Sequence, residues 1–374
     1  MTAKILAIAL TTLLVGEAAS ATAEPGTGPL TPAALHSAYA LPRKAAKPQT
    51  VAIVVAYDDP TIERDLGTFT RRFSLPSCTA ARGCLRRVNQ RGQPGPLPSP
   101  DPTGGKWTTE AALSTETLHG ICQNCRLLLV EADSEAESDL AAAVDTAARL
   151  GAREISTTYL FAEGAFDGQY ASHYDHPGVV ITAASGDDGF SYGPNVPAAY
   201  PGVVAVGGTT LRIGPRGRWA GETVWRSSDG TAASGCSAFT PAPPWQLSFA
   251  GKAGCGDMRA VPDVAAAAGP GAPLYSSTAL DPQGERGWFE ADGTSVSSPI
   301  VAGTFALAGG IGARQSAPAL LYARFRNVRG AFHDITQGSN GSCGGKSICQ
   351  AKRGYDGVTG VGTPDGLAGF RSSR

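Results

Sequence analysis

Apolar residues run almost unbroken through Gln49–Ala56 (QTVAIVVA) and stop at Tyr57-Asp58-Asp59-Pro60. Such a run, rich in β-branched residues and closed by a turn signal, predicts a strand buried on both faces with a loop at its carboxyl end. Thr61 to Phe73 has helical spacing, and Arg91 to Gly105 is too rich in Pro and Gly to be anything but loop. Thr108 to Ile121 predicts a helix, with Thr108 as its capping residue. A strand over Leu127–Glu131, a helix over Ala136–Leu150 and a strand over Glu154–Tyr159 follow. A further strand, Val179–Ala184, runs into Ser185-Gly186-Asp187. Strands alternating with helices imply an α/β fold, a doubly wound and mostly parallel sheet with helices on both faces. Sites in such sheets lie outside the carboxyl ends of the strands. With no internal repeat and no linker after Lys47, one domain is expected over residues 48–374, behind a short Pro/Ala-rich lead at 24–47.

The first 23 residues read differently. Lys4 is the only charge before the apolar run Ile5–Val15, and Ala19-Ser20-Ala21 or Ala21-Thr22-Ala23 offers a small-residue cleavage site. The pattern is that of a secretory signal peptide, because the run is well short of the ~20 residues a span requires. A secreted protein, extracellular or periplasmic, is expected. The eight cysteines agree, since they fall into four short-range pairs: Cys78/Cys84, Cys122/Cys125, Cys236/Cys255 and Cys343/Cys349. Cys122-Gln123-Asn124-Cys125 also has the spacing of a redox pair, but the thioredoxin-like context is missing. A zinc site from two such pairs is excluded because the spacing occurs once.

Composition narrows the partners. Lys plus Arg is 31 and Asp plus Glu is 32, giving a net charge of −1, so no charge excess draws the chain to nucleic acid or an anionic membrane. Hydrophobic residues at 42% exclude a disordered chain. The glycines of Val203–Thr209 lack the spacing and the lysine of a phosphate loop.

Three places carry candidate chemistry. Asp292-Gly293-Thr294-Ser295 precedes an apolar stretch, so Ser295 would stand at a helix mouth where amide N–H groups favour negative charge. A nucleophilic serine there has its oxyanion stabilised nearby. Asp187 follows a buried strand, and Glu110 begins a helix. Each alone also reads as a cap or a turn. A Ser-His-Asp triad of Asp58, His119 and Ser295 has the right chain order, but His119 lies nine residues past Glu110, about 13 Å along a helix. His173, Asp175 and His176 are candidate metal ligands or, more simply, a solvated loop.

Together, Glu110, Asp187 and Ser295 in this order resemble the sedolisins, the serine-carboxyl peptidases of the subtilisin-like superfamily. The likeness extends from Leu30 to Phe370, through LTPAALHSAY (30–39), VAVGGT (204–209), FHDIT (332–336) and GYDGVTG (354–360). It implies a subtilisin-like fold and an endopeptidase working at acidic pH on proteins or peptides; a monomer is expected. It implies Ser295 as nucleophile, Glu110 as general base and Asp187 as a protonated donor in the oxyanion hole. It also implies Ca2+ bound by the carboxylates of Asp334 and Asp356 and the carbonyls of Ile335, Lys352 and Gly354. The Cys343/Cys349 bridge would clamp the segment between the two halves of that site.

Two features depart from the pattern. The Asp expected one helical turn after Glu110 is Ser114, whose hydroxyl can hydrogen-bond Glu110 but cannot share a proton as a carboxyl pair does. Glu116 should point away from Glu110, and Asp292 is a further candidate helper. The usual long pro-region also has no counterpart in residues 24–47. Weakened activity is expected, with a catalytically silent peptide-binding relative as the alternative.

Overall fold

The computed structural model describes Gly26 and residues 28–164, 167–278 and 285–372. The signal-peptide expectation lies outside the described residues. The lead is more ordered than its composition suggests. It forms helix α1 (Pro32–Ala38), capped by the Thr31 hydroxyl, which accepts from the Ala34 N–H. Tyr39, just past it, is fully buried and donates its hydroxyl to Glu222 at 2.5 Å.

The core follows the expected alternation. Strand β1 (Thr50–Ala56) leads to α2 (Ile62–Arg72), β2 (Leu85–Asn89), α3 (Lys106–Ile121), β3 (Arg126–Ala132), α4 (Glu137–Arg149) and β4 (Glu154–Thr157). Then come β5 (Val180–Ala184), β6 (Val203–Ile213), β7 (Trp219–Val224) and β8 (Val264–Gly269). The hairpin β9 (Ala272–Ser276) and β10 (Gly287–Ala291) precedes helix α5 (Thr294–Ala308). The sheet order is β8-β6-β5-β4-β1-β3-β2, all parallel, with β7 antiparallel against β6. The order reverses at β1, so a crevice opens at the carboxyl ends of the central strands.

Helix α5 fixes the geometry of that crevice. Every residue from Thr294 to Leu307 is buried, as expected of a helix that is apolar or small on all sides. Its hydroxyls are satisfied by the sheet. Ser297 donates to the Ala266 carbonyl at 3.0 Å, and Ser298 donates to the Thr157 carbonyl at 3.1 Å. Small residues also let it approach α3: a Cβ at Gly303 would sit 2.6 Å from Ile121 Cγ2. The two helices therefore touch near the end of α3, which registers the start of α3 against the start of α5.

All four cysteine pairs form disulfides as proximity suggests. Among the described residues no helix is long and apolar enough to cross a membrane.

Candidate active site

Helix α3 starts at Lys106, two residues earlier than its pattern suggests, and Thr108 does not cap it. The Asp101 carboxylate does so instead, accepting from the N–H groups of Trp107 at 2.9 Å and Thr108 at 3.2 Å. The Thr108 hydroxyl donates back to the Gly105 carbonyl. A carboxylate from the preceding loop is better placed to take these free donors than a residue already inside the first turn.

Glu110 faces Ser295, the second residue of α5, and the Ser295 hydroxyl donates to Glu110 Oε1 at 3.2 Å. Asp187 stands in the loop after β5, and its Oδ1 accepts from the N–H of Thr294 at 2.9 Å and from its hydroxyl at 2.8 Å. Gly293 has φ of 126°, and a Cβ there would lie 2.7 Å from Asp187 Oδ2, so only glycine fits this junction. Glu110, Asp187 and Ser295 line one cleft of about 440 Å³. Farther along α5, Pro299 has no N–H to give the Ser295 carbonyl, which leaves the first turn one backbone bond short.

Burial sets the electrostatics. It pushes the Glu110 carboxyl up to about 7, against the hydroxyls of Thr158 and Ser295 that hold it down. The Asp187 charge raises it further, and the Lys106 charge lowers it. Burial also raises Asp187, opposed by the two bonds from Thr294.

The helper positions are resolved. Ser114 is buried one turn beyond Glu110, but its hydroxyl has no partner, so it makes no bond to Glu110. Glu110 Oε2 also has none. A serine side chain is too short to reach across the gap a carboxylate would bridge. Glu116 points away, accepting from the Tyr275 N–H at 2.9 Å. Asp292 accepts from the Trp225 indole at 3.3 Å, so it does not support Glu110. The triad is not assembled: His119 Nε2 bonds the Pro76 carbonyl at 2.8 Å, and Asp58 pairs with Arg87. His173 and His176 both bond the Asp145 carboxylate, at 2.6 and 3.0 Å.

The C-terminal donors converge on one turn. Both oxygens of Asp334 accept from the Gly354 N–H at 3.0 Å, and Asp356 Oδ2 accepts from the Lys352 N–H at 2.9 Å. Asp356 is fully buried, with Val358 and Thr359 on its other oxygen. Both carboxylates thus lie against the backbone of the same turn.

Other lining residues have no local signal in the sequence. Lys106, Trp107 and Glu135 share the cleft, and the Trp107 indole donates to Glu135 at 2.9 Å across 28 positions of chain. Thr158 and Tyr159 are legible only as the residues that follow β4.

Kumamolisin of Bacillus sp. (strain MN-32) is 34% identical over 205 residues, covering 51% of this chain and 35% of its own. Sedolisin of Pseudomonas sp. (strain 101) is 34% identical over 188 residues, covering 48% of this chain and 30% of its own. The aligned stretches thus span about a third of these curated relatives. The structure of Pseudomonas sedolisin, a serine-carboxyl proteinase in complex with pseudo-iodotyrostatin, superposes with a TM-score of 0.73 at 24% identity. That superposition covers 91% of this chain and 96% of the other, and at this identity it speaks for the fold. The profile of the subtilase family matches residues 107–314, the stretch that holds Glu110, Asp187 and Ser295. The chain has the α/β fold of subtilisin-like proteins and belongs to the subtilase family, on its sedolisin side.

Proposed function

We propose that this chain is a secreted serine-type endopeptidase acting on proteins or peptides, as a monomer, on the acid side of neutrality. The observation that carries the reading is the Ser295–Glu110 hydrogen bond at 3.2 Å, in a cleft that also holds Asp187. The oxidised cysteines and the signal-like N-terminus support secretion. In this mechanism Ser295 Oγ attacks the peptide carbonyl and its proton passes to Glu110 Oε1. Protonated Asp187, beside the amino end of α5, donates to the oxyanion. Glu110 then returns the proton to the leaving amine, and water repeats the cycle to free the acyl group.

The reaction needs Glu110 ionised and Asp187 protonated. Burial raises both groups, Glu110 to about 7 and Asp187 above its ordinary value against the two bonds from Thr294. A site that needs one of two such carboxyls ionised and the other protonated works over a limited pH range, on the acid side of neutrality. Glu110→Gln keeps the shape and removes the base, so hydrolysis of denatured casein should fall by about 10²–10⁴-fold. An undiminished rate in that variant would remove Glu110 from the mechanism.

The second reading is a catalytically silent relative that binds peptides without cleaving them. The unpartnered Glu110 Oε2 and Ser114 hydroxyl favour it, since no carboxyl supports the base. Ser114→Asp separates the two. Activity that appears only in this variant identifies the silent relative, and activity already in the wild type identifies the enzyme.

Calcium fits the C-terminal turn, held by Asp334, Asp356 and the carbonyls of Ile335, Lys352 and Gly354. Lys352 contributes only its carbonyl, which does not depend on the side chain. When bound, the ion would supply charge compensation for a buried carboxylate and hold the turn closed.

A further inference from the structure

Glu135 has no part in the proposed chemistry, yet it stands on the cleft that holds Ser295. It is exposed, and it is held in place: the Trp107 indole donates to Oε2 at 2.9 Å. Trp107 is itself fixed, buried in an aromatic row with Tyr57 and Tyr159 at centroid distances of 6.4 Å each. Tyr159 continues the row to Phe161 and bonds the Tyr174 hydroxyl at 3.0 Å. The cleft thus has a rigid aromatic wall with a carboxylate anchored at its rim. Oε1 of that carboxylate has no hydrogen-bond donor among the described contacts.

We infer that Glu135 is a specificity-determining residue that selects peptides with a lysine or arginine side chain within two positions of the scissile bond. The inference rests on the reading of the cleft as a peptide site. A long basic side chain has two parts, an apolar stem and a cationic head. The wall of Trp107, Tyr159 and Phe161 matches the stem, by packing and by the attraction of cations to aromatic faces. The Glu135 carboxylate matches the head through a charge-assisted hydrogen bond. Asp188, also exposed on this cleft, adds a second negative charge. Lys106 is the opposing charge on the lining, and its field acts on Glu110 one turn along α3. An acidic side chain in the substrate would meet Glu135 and Asp188 unpaired, so the cleft rejects it as well as favouring the basic one.

The test uses paired peptides that differ at one position, lysine against norleucine, at one mildly acidic pH. Two readouts are taken: kcat/KM with the wild type, and the affinity of Ser295→Ala for the same peptides by calorimetry. The wild-type preference for lysine should be about tenfold or more in both. Glu135→Gln should reduce it to about unity with the norleucine peptide unchanged, and Glu135→Lys should turn it toward a glutamate-containing peptide. A lysine preference that survives Glu135→Gln overturns the inference. So does the absence of any preference in the wild type. Binding with the preference but without cleavage retains the inference and defeats the enzymatic reading, so the two failures are distinct. A Glu135→Gln variant that also loses norleucine-peptide binding would show a structural role and overturn the assignment.

Discussion

The pH behaviour of the site is decided by two carboxyls whose surroundings act on them unequally. Glu110 is half-buried with one oxygen enclosed and unpartnered, whereas Asp187 accepts twice from Thr294. Asp187→Asn makes the oxyanion donor independent of pH. Wild-type kcat/KM should fall on the alkaline side of its optimum, where the proton it needs on Asp187 is gone. In Asp187→Asn that fall should be absent and the profile should rise to a plateau as Glu110 alone ionises, below about 7 because the Asp187 charge that raised it is gone. Parallel profiles in the two proteins would show that Asp187 carries no such proton. Ser114→Asp bears on the other partner. A second carboxyl beside Glu110 leaves one of the two ionised at lower pH, so its activity should extend farther into acid than that of the wild type. What the sequence made legible at this scale was the identity of Glu110, Asp187 and Ser295, each marked by a strand end or a helix start. The orphaned Ser114 hydroxyl was not legible, because i+4 spacing places a residue on a helix face without setting its reach. Glu135 was hidden for another reason: its partner Trp107 lies in a different element, and no local spacing joins them.

Among the elements, the contact between α3 and α5 matters most, since it aligns base and nucleophile. Gly303→Ala would force a methyl into Ile121 and should cost about 1–3 kcal/mol in denaturant melts. Combined with Ile121→Ala, which removes the Cγ2 methyl, it should cost less than the sum of the two single losses. No change in either variant would mean the helices do not bear on one another there. Strand β4 carries a different strain. Glu154 is wholly buried, neither of its oxygens has a partner, and burial pushes it up to about 8. The folded protein therefore keeps this proton where the unfolded chain has lost it, and stability declines as pH rises from the ordinary glutamate range toward 8. The slope belonging to Glu154 is about 1.4 kcal/mol per pH unit over that interval. Glu154→Gln should flatten the stability profile by this amount, and an unchanged slope would place the proton elsewhere. Strand and helix positions were readable because buried parallel strands are continuous apolar runs. The α1 helix of the lead was not, because seven residues around Pro32 give too little periodicity. The cap on α3 was missed because Asp101 reaches it from a Pro/Gly-rich loop whose path no local pattern fixes.

For the whole molecule, the four disulfides hold loops around a sheet whose crevice is open. Residues 343–349 are bridged between Asp334 and Asp356, so the two halves of the cation site are tied through one short covalent loop. Chelation with EDTA should lower the melting temperature, and added Ca2+ should restore it; Asp334→Asn should melt at the chelated value in both conditions. An unchanged melting temperature with no metal by elemental analysis would remove calcium from the account. Asp, Glu, Lys and Arg make up only 17% of the chain, yet Asp59, Asp65, Glu116, Glu131, Glu154, Glu222, Asp263 and Asp356 are buried. Glu110, Glu116, Glu131 and Glu154 are all raised by burial, which suits a molecule that works below neutrality. The most direct test of the central claim is the hydrolysis of denatured casein by the wild type and Ser295→Ala, side by side from acid to neutral pH. The account predicts cleavage by the wild type, greatest below pH 7, and none by Ser295→Ala. Equal rates in the two proteins, or no cleavage by the wild type at any pH, would contradict it.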